Sequence, residues 1–461
     1  MYADFHLSSG LRYDNFIFKK FFGGYFGLLI FTKSRKQKLN KIILMMMTLM
    51  SILTMSAISL SAKSANQPKF QAKEAYVMDA TTGQVLYQKN GNNKRPIASL
   101  SKLMTLYLTK KAIDNHQISW EQKVPVDAEL RRMSKSYEVG GFRIKHSKEY
   151  TVRDLYKAAL IASSNSSAIA LGKLVGGGNN MEFVRMMNKQ AHDWGLDATF
   201  VSSSGLDNTD LSKYHYQVPH TSAKAQNMVS AKAISTVAAK VLRIFPSITK
   251  WSKQPSMKVG NQVLVNSNRL LPGSAFYHKS THVDGLKTGF TVNAGLCITV
   301  TYWHAGRHLI ATIIDSNTLY TSMNKLISTV NQRYQPAKVA LKSHTFSIDG
   351  HQLNATPQTP EAVIWQRKGT NGSHVTNYSA IKTSLPITKG QTVGNAIVKL
   401  ADNSSTAVVP MLATTNVHEP HKKEKQTTPK ESLLKRIFGF VGSIFAGIYR
   451  LFVDFVKFMT P

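Results

Sequence analysis

Strand-forming runs stand at both ends of a segment of about 270 residues, and helix-forming runs fill its middle. Ala75 to Asp79 and Gln84 to Tyr87 flank Ala80-Thr81-Thr82-Gly83, the pattern of a hairpin. Strand character returns only at Gln262 to Val265, Leu296 to Trp303 and Leu309 to Ile314. Between them, Leu100, Leu103, Leu106 and Tyr107 recur at helical spacing. Asp154 to Leu174, Met181 to Trp194 and Ser230 to Ile244 are also helical in pattern, separated by Gly-rich or Ser-rich turns. A last helix is expected near Tyr320 to Tyr334. Strands so far apart must meet in one sheet, so residues 66–335 are expected to form an α+β domain, a mixed sheet packed against a helical cluster.

Residues 336–413 change to short β-type runs, among them Ala337 to Leu341, Ala362 to Trp365 and Ala407 to Leu412, which predicts a small all-β domain. Two or three domains suit a chain of 461 residues. Residues 414–431 are polar, with Pro420, Pro429 and a charged run at His421 to Lys425, and are expected to be a linker. In 432–461, Ser432, Arg436, Gly439, Ser443, Ala446, Arg450, Asp454 and Lys457 fall on one narrow helical face, and bulky apolar residues cover most of the rest. Such an amphipathic helix fits the plane of a membrane interface, its cations near anionic head groups. The row Gly439, Ser443, Gly447 keeps a transmembrane alternative open, which Arg450, Asp454 and Lys457 oppose.

The other end points the same way. Residues 1–41 form a basic leader with four lysines and an arginine between Lys33 and Lys41, followed in 42–65 by an uncharged apolar run and a small-residue exit. These are the three parts of a secretory signal, cleaved near Ala62 or retained as an anchor. With the single Cys297 no intrachain disulfide is possible, and its apolar surroundings predict a buried thiol. A net charge of +33 draws polyanions. In an exported protein these are anionic lipid and wall polymers; no nucleic-acid motif accompanies the charge, and no nucleic-acid partner is expected.

Chemistry is concentrated in three clusters. Ser99 and Lys102 lie three residues apart at the expected start of a helix, where a lysine of lowered pKa can take the proton of a serine nucleophile. S-x-x-K alone is weak, since it recurs at Ser247, Ser322, Ser379 and Ser432. Ser163-Ser164-Asn165 follows at a helix boundary: the Ser163 hydroxyl could relay protons, and the Asn165 amide could hold Lys102 and bind a substrate carbonyl. The same residues are also ordinary helix caps. Lys287-Thr288-Gly289, the one K-T-G in the chain, precedes the Leu296 strand; its lysine and threonine can bind a carboxylate, and its glycine lets substrate backbone lie close.

The order S-x-x-K, S-x-N, K-T-G resembles the penicillin-recognising serine enzymes, and the text from Ala98 to Thr105 and from Asp284 to Gly289 is similar to their D-alanyl-D-alanine carboxypeptidase branch, the low-molecular-mass penicillin-binding proteins. The resemblance implies a β-lactamase/transpeptidase-like domain followed by the β domain and the terminal helix. It implies that Ser99 attacks the bond between two D-alanines of a peptidoglycan stem peptide, with Lys102 as base. Ser163 would pass a proton to the leaving amine, Asn165 would orient the site, and Lys287 with Thr288 would hold the terminal carboxylate. The amides of Ser99 and Phe290 would form an oxyanion hole. β-Lactam antibiotics would acylate Ser99. No cofactor is implied.

Three positions depart from the commoner pattern of that branch: Phe290 after K-T-G where histidine is frequent, Ser204-Gly205-Leu206 where H-G-L is frequent, and Ser267 where some relatives carry an arginine, with Arg269 two positions on. A β-lactamase shares the chemistry, but its deacylating glutamate is not identifiable. A catalytically silent wall-binding protein is opposed by the intact motif residues. The pairs His278 with His282 and His304 with His308 fall in loop and hairpin-turn positions, so no metal site is expected.

Overall fold

The computed structural model describes residues 70–369, 374–400 and 406–418. The basic leader, the apolar segment after it, most of the linker and the amphipathic tail lie outside the described residues.

β1 (Glu74–Asp79) and β2 (Val85–Lys89) form the expected hairpin. Asp79 closes it by accepting from the amides of Thr81 and Thr82 at 2.9 and 2.8 Å. The short strands β3 (Lys94–Pro96), β4 (Ala198–Thr199) and β5 (Met228–Ser230) make a small sheet in the order β3-β5-β4. β6 (Ser256–Val259) and β7 (Gln262–Val265) pair only with each other. The Gln262 to Val265 strand therefore stands outside the main sheet: Val263 and Val265 are exposed and only Leu264 between them is buried, too little apolar surface for an interior strand.

β8 (Val283–Thr291), β9 (Gly295–His304) and β10 (Arg307–Ile314) complete the main sheet, in the order β2-β1-β10-β9-β8. All four of its ladders are antiparallel, and its strands come from the two ends of the segment. K-T-G lies inside β8, on the sheet edge, rather than in a turn before the following strand.

Nine helices are described: α1 (Lys102–Asp114), α2 (Ala128–Ser134), α3 (Val152–Ile161), α4 (Asn165–Val175), α5 (Asn180–Asp193), α6 (Asn208–Ser212), α7 (Ala231–Ile244), α8 (Ile248–Ser252) and α9 (Leu319–Arg333). α1 is buried from Lys102 to Thr109 and packs against α4 and α7; its buried Thr105 and Thr109 hydroxyls donate to the carbonyls of Ser203 and Thr105. The single helix expected over Asp154 to Leu174 is two. α3 begins on a capping box between Thr151 and Asp154. It stops at Ile161, and α4 restarts on Ser164, whose side chain accepts from the Ser167 amide at 3.2 Å. Buried residues continue across the break, from Ala158 to Ile161 at the end of α3 and from Asn165 to Gly172 at the start of α4.

α9 passes straight into the β domain: β11 (Tyr334–Ala340) starts two residues before the expected boundary, and β12 (His344–Ile348), β13 (His351–Pro357), β14 (Glu361–Arg367), β15 (His374–Ala380), β16 (Thr392–Leu400) and β17 (Thr406–Ala413) follow. They form sheets ordered β11-β14 and β12-β13-β17-β16-β15. Trp365 of β14 is fully buried and belongs to the core of the first domain, not to that of its own. Its backbone exchanges two 2.7 Å hydrogen bonds with the Gln84 side chain, and its indole N–H donates to Asp79 at 2.8 Å. Asp79, 0% exposed, also accepts two hydrogen bonds from Arg307 at 3.0 and 2.9 Å, so its charge is compensated. Burial raises the proton affinity of Asp79, but the Arg307 and Trp365 donors outweigh it and hold the carboxyl below its ordinary range.

Trp365→Ala is expected to cost about 3–5 kcal/mol and to split the thermal unfolding of the described domains into two transitions. Calorimetry showing one unshifted transition would reject Trp365 as the joint.

Candidate active site

The chain enters the site along β3, where Arg95 contacts Glu74 at 3.2 Å and Asp315 at 2.7 Å and so fixes the strand against the main sheet. Burial pushes the Glu74 carboxyl up to about 7, Arg95 opposing. A 3₁₀ turn over Ala98–Ser101 follows, with Ala98 in the left-handed region at φ +46°, and α1 starts at Lys102. Ser99 therefore projects from a tight turn just ahead of the helix. Two glycines press backbone onto this turn. A Cβ on Gly205 would lie 2.0 Å from the Ala98 oxygen, and one on Gly289 would lie 2.9 Å from the Ile97 oxygen and 3.1 Å from the Ser99 nitrogen. The glycine of K-T-G is thus required by the approach of β8 to the nucleophile turn, in addition to any substrate.

Lys102 is 0% exposed. Its Nζ lies 2.8 Å from Ser99 Oγ, 2.7 Å from Asn165 Oδ1 and 2.6 Å from the Ser204 carbonyl oxygen. Asn165 is held the right way round because its own amide donates to the Val139 carbonyl at 2.9 Å. Burial, with the charge of Lys287 added, holds the Lys102 amine well below the ordinary lysine range. A neutral Lys102 donates to Asn165 and Ser204 and turns its lone pair to the Ser99 hydroxyl, the arrangement a general base needs.

Ser99, Ser163, Asn165, Thr288, Gly289 and Phe290 line one cleft of about 670 Å³. Ser163 sits in the left-handed region at φ +56°, in the break between α3 and α4. Phe290 is 62% exposed at the rim. The two lysines are placed differently. Lys102 lies beside Ser99, and Lys287 is buried on the β8 face that also carries Gly289, where its Nζ donates to the Thr288 carbonyl at 2.8 Å; burial lowers it to about 7. Thr288 faces the cleft, its hydroxyl hydrogen-bonded to that of Ser267, whose carbonyl accepts from the Tyr320 hydroxyl at 2.7 Å.

Val139, Ser204 and Tyr320 were not singled out as working residues from sequence. Val139 and Ser204 act through carbonyls, which leave no mark on residue type. Replacement of the frequent histidine by Ser204 is therefore silent at Lys102, and the Ser204 hydroxyl turns instead to Ser202 at 2.8 Å. Cys297 is buried, and burial pushes its thiol up to about 12, as an inert core residue requires. No group of three or more metal-ligating side chains occurs among the described residues.

A serine on a strained turn, a desolvated lysine beside it and an asparagine orienting that lysine define a serine acyl-transfer enzyme. Residues 61–318 match the peptidase S11 family, described as D-alanyl-D-alanine carboxypeptidase, and the chain belongs to this family of serine peptidases. It is 28% identical over 355 residues to the D-alanyl-D-alanine carboxypeptidase DacF of Bacillus subtilis, covering 73% of this chain and 84% of that one. It is 30% identical over 257 residues to the D-alanyl-D-alanine carboxypeptidase DacD of Escherichia coli, covering 55% and 61%. The fold matches that of a peptidoglycan synthesis regulatory factor, PBP3, from Streptococcus pneumoniae, with a TM-score of 0.63, 24% identity and coverage of 76% and 100%.

The buried Lys287 amine makes stability pH-dependent. Between about pH 7 and the ordinary 10.5 the folded protein has shed this proton while the unfolded chain keeps it, so stability rises with pH across that window. Lys287→Met is expected to flatten the rise in melting temperature, and an unchanged slope would show that the amine is solvated.

Proposed function

We propose that this protein is a D-alanyl-D-alanine carboxypeptidase that trims peptidoglycan stem peptides through a Ser99 acyl-enzyme. The observation that carries the reading is the buried contact of the Lys102 amine with both Ser99 and Asn165. Lys102 takes the Ser99 proton as Oγ attacks the penultimate D-alanine carbonyl. The amides of Ser99 and Phe290 receive the developing oxyanion, an interaction worth ~3 kcal/mol per donor. The C–N bond breaks, Ser163 passes a proton to the departing amine, and terminal D-alanine leaves. Water then attacks the ester and Ser99 recovers its proton. Thr288 contacts the substrate terminus from β8, and the buried Lys287 amine holds the Thr288 carbonyl of that strand.

A β-lactam presents a strained amide to the same serine and forms the same ester. Both carboxypeptidase action and covalent β-lactam binding follow from one nucleophile.

The leader pattern in residues 1–65 and the amphipathic pattern in 432–461 support export and attachment to the outer face of a bacterial membrane, with the basic surface against anionic lipid and wall polymers. No helix among the described residues is long and apolar enough to cross a membrane.

Mass spectrometry of the full chain with a stem pentapeptide, and separately with a penicillin, tests the activity. Loss of one D-alanine and a penicillin adduct on Ser99 are expected. Ser99→Ala should remove both, and Lys102→Met should slow acylation by about 10²–10⁴-fold. A penicillin adduct that persists in Ser99→Ala would overturn the assignment.

A further inference from the structure

Thr288 lines the cleft from β8, and its hydroxyl is bonded to the hydroxyl of Ser267. Its backbone is fixed separately, by the Lys287 amine on its carbonyl at 2.8 Å. Whichever of the two hydroxyls donates to the other, the accepting one keeps its own O–H proton for the cleft, and a hydroxyl that accepts is the stronger donor for it. The pair therefore offers a substrate one polarised donor, and the direction of that donor depends on where Ser267 is held.

Ser267 is held from three sides. Before it, Asn266 donates to the carbonyls of Ser252 and Gln254 at 2.9 and 3.1 Å. After it, the buried Asn268 donates to the Gly285 carbonyl of β8 at 3.1 Å. Between them the Ser267 carbonyl accepts from the Tyr320 hydroxyl at 2.7 Å. Tyr320 stands in the first turn of α9 and lines the cleft, and its ring stacks on Phe276 with centroids 5.1 Å apart and planes 23° apart. Phe276 is tied in turn: its amide donates to the Arg269 carbonyl at 3.0 Å, and its carbonyl accepts from Asn324, one turn along α9, at 2.9 Å. Burial raises the proton affinity of the Tyr320 hydroxyl, with Arg269 opposing, so at neutral pH it keeps the proton it donates. A phenylalanine would serve the stack on Phe276 equally well. What the hydroxyl adds is the hold on Ser267.

We propose that Tyr320 and Ser267 are positioning residues for the terminal carboxylate of the substrate: Tyr320 fixes Ser267 through its carbonyl, and Ser267 aims the Thr288 hydroxyl at that carboxylate. The proposal rests on the carboxypeptidase reading above. Ser267, where some relatives carry an arginine, then does by orienting a neutral donor what a guanidinium does by charge. The start of α9 becomes part of the apparatus that reads the substrate terminus.

The test uses the full-length protein and two D-alanyl thioesters, reactive enough to be turned over with or without a terminal contact, one leaving as thioglycolate and the other as thioglycolamide. The ratio of their kcat/KM values reports recognition of the carboxylate. Tyr320→Phe and Ser267→Ala are each expected to lower that ratio by about tenfold, the size of one charge-assisted hydrogen bond. The double variant is expected to lower it no further than the larger single effect, because both residues act through one hydroxyl. A residue that only supports the fold would lower both rates together and leave the ratio where it was. An unchanged ratio in Tyr320→Phe, a double variant in which the two losses multiply, or a ratio that falls in Arg269→Ala and not in Tyr320→Phe overturns the proposal. Penicillin labelling of Ser99 is run alongside: labelling with an unmoved ratio sinks this inference alone, and no labelling sinks the carboxypeptidase reading with it.

Discussion

An amine with no exposure to water must find a partner for each proton and for its lone pair, and the neutral Lys102 amine donates to Asn165 and the Ser204 carbonyl and accepts from the Ser99 hydroxyl. These come from the 3₁₀ turn, the start of α4 and the segment after β4. A buried polar group left unpaired costs about 1–3 kcal/mol or more, so the three segments can converge in only one arrangement. The desolvation that demands the partners also lowers the proton affinity of the amine, and so makes it a base at all. Stability and reactivity at this residue have a single physical origin.

The surroundings serve that convergence. Gly205 and Gly289 let two backbones close on the nucleophile turn at distances no side chain would permit. Arg95, held between Glu74 and Asp315, fixes the strand that leads into it. β8 then does two jobs, since as the sheet edge it offers Thr288 to the cleft while it buries Lys287 on the face that packs Gly289 against the nucleophile turn. Farther off, Trp365 threads the β domain into the core of the catalytic domain, with Gln84 and Asp79 satisfying its polar groups.

Much of this was legible in residue pattern. The hairpin at β1 and β2, the helices α1, α5, α7 and α9, strands β9 and β10, and the small β domain follow from periodicity and turn chemistry, which are local. The break between α3 and α4 was obscured because buried residues, apolar and small, continue on both sides of it. The placement of K-T-G inside β8 was obscured because a strand holding Lys, Thr and Gly lacks the β-branched signal of its neighbours. Working carbonyls such as those of Val139 and Ser204 could not be read, since every residue carries one.

The sequence by itself determined which groups could react: Ser99 and Lys102 at helical spacing, Ser163 and Asn165 at a helix start, Lys287, Thr288 and Gly289 in one run. Spacing along a helix is set by local geometry and needs no knowledge of the rest. Only the tertiary structure decided that Asn165 and Ser204, 63 and 102 positions beyond Lys102, share its amine. It alone decided that Lys287 is buried while Thr288 and Ser267 line the cleft. These depend on which face of an edge strand packs on the core and on contacts between distant segments, and no local pattern encodes either.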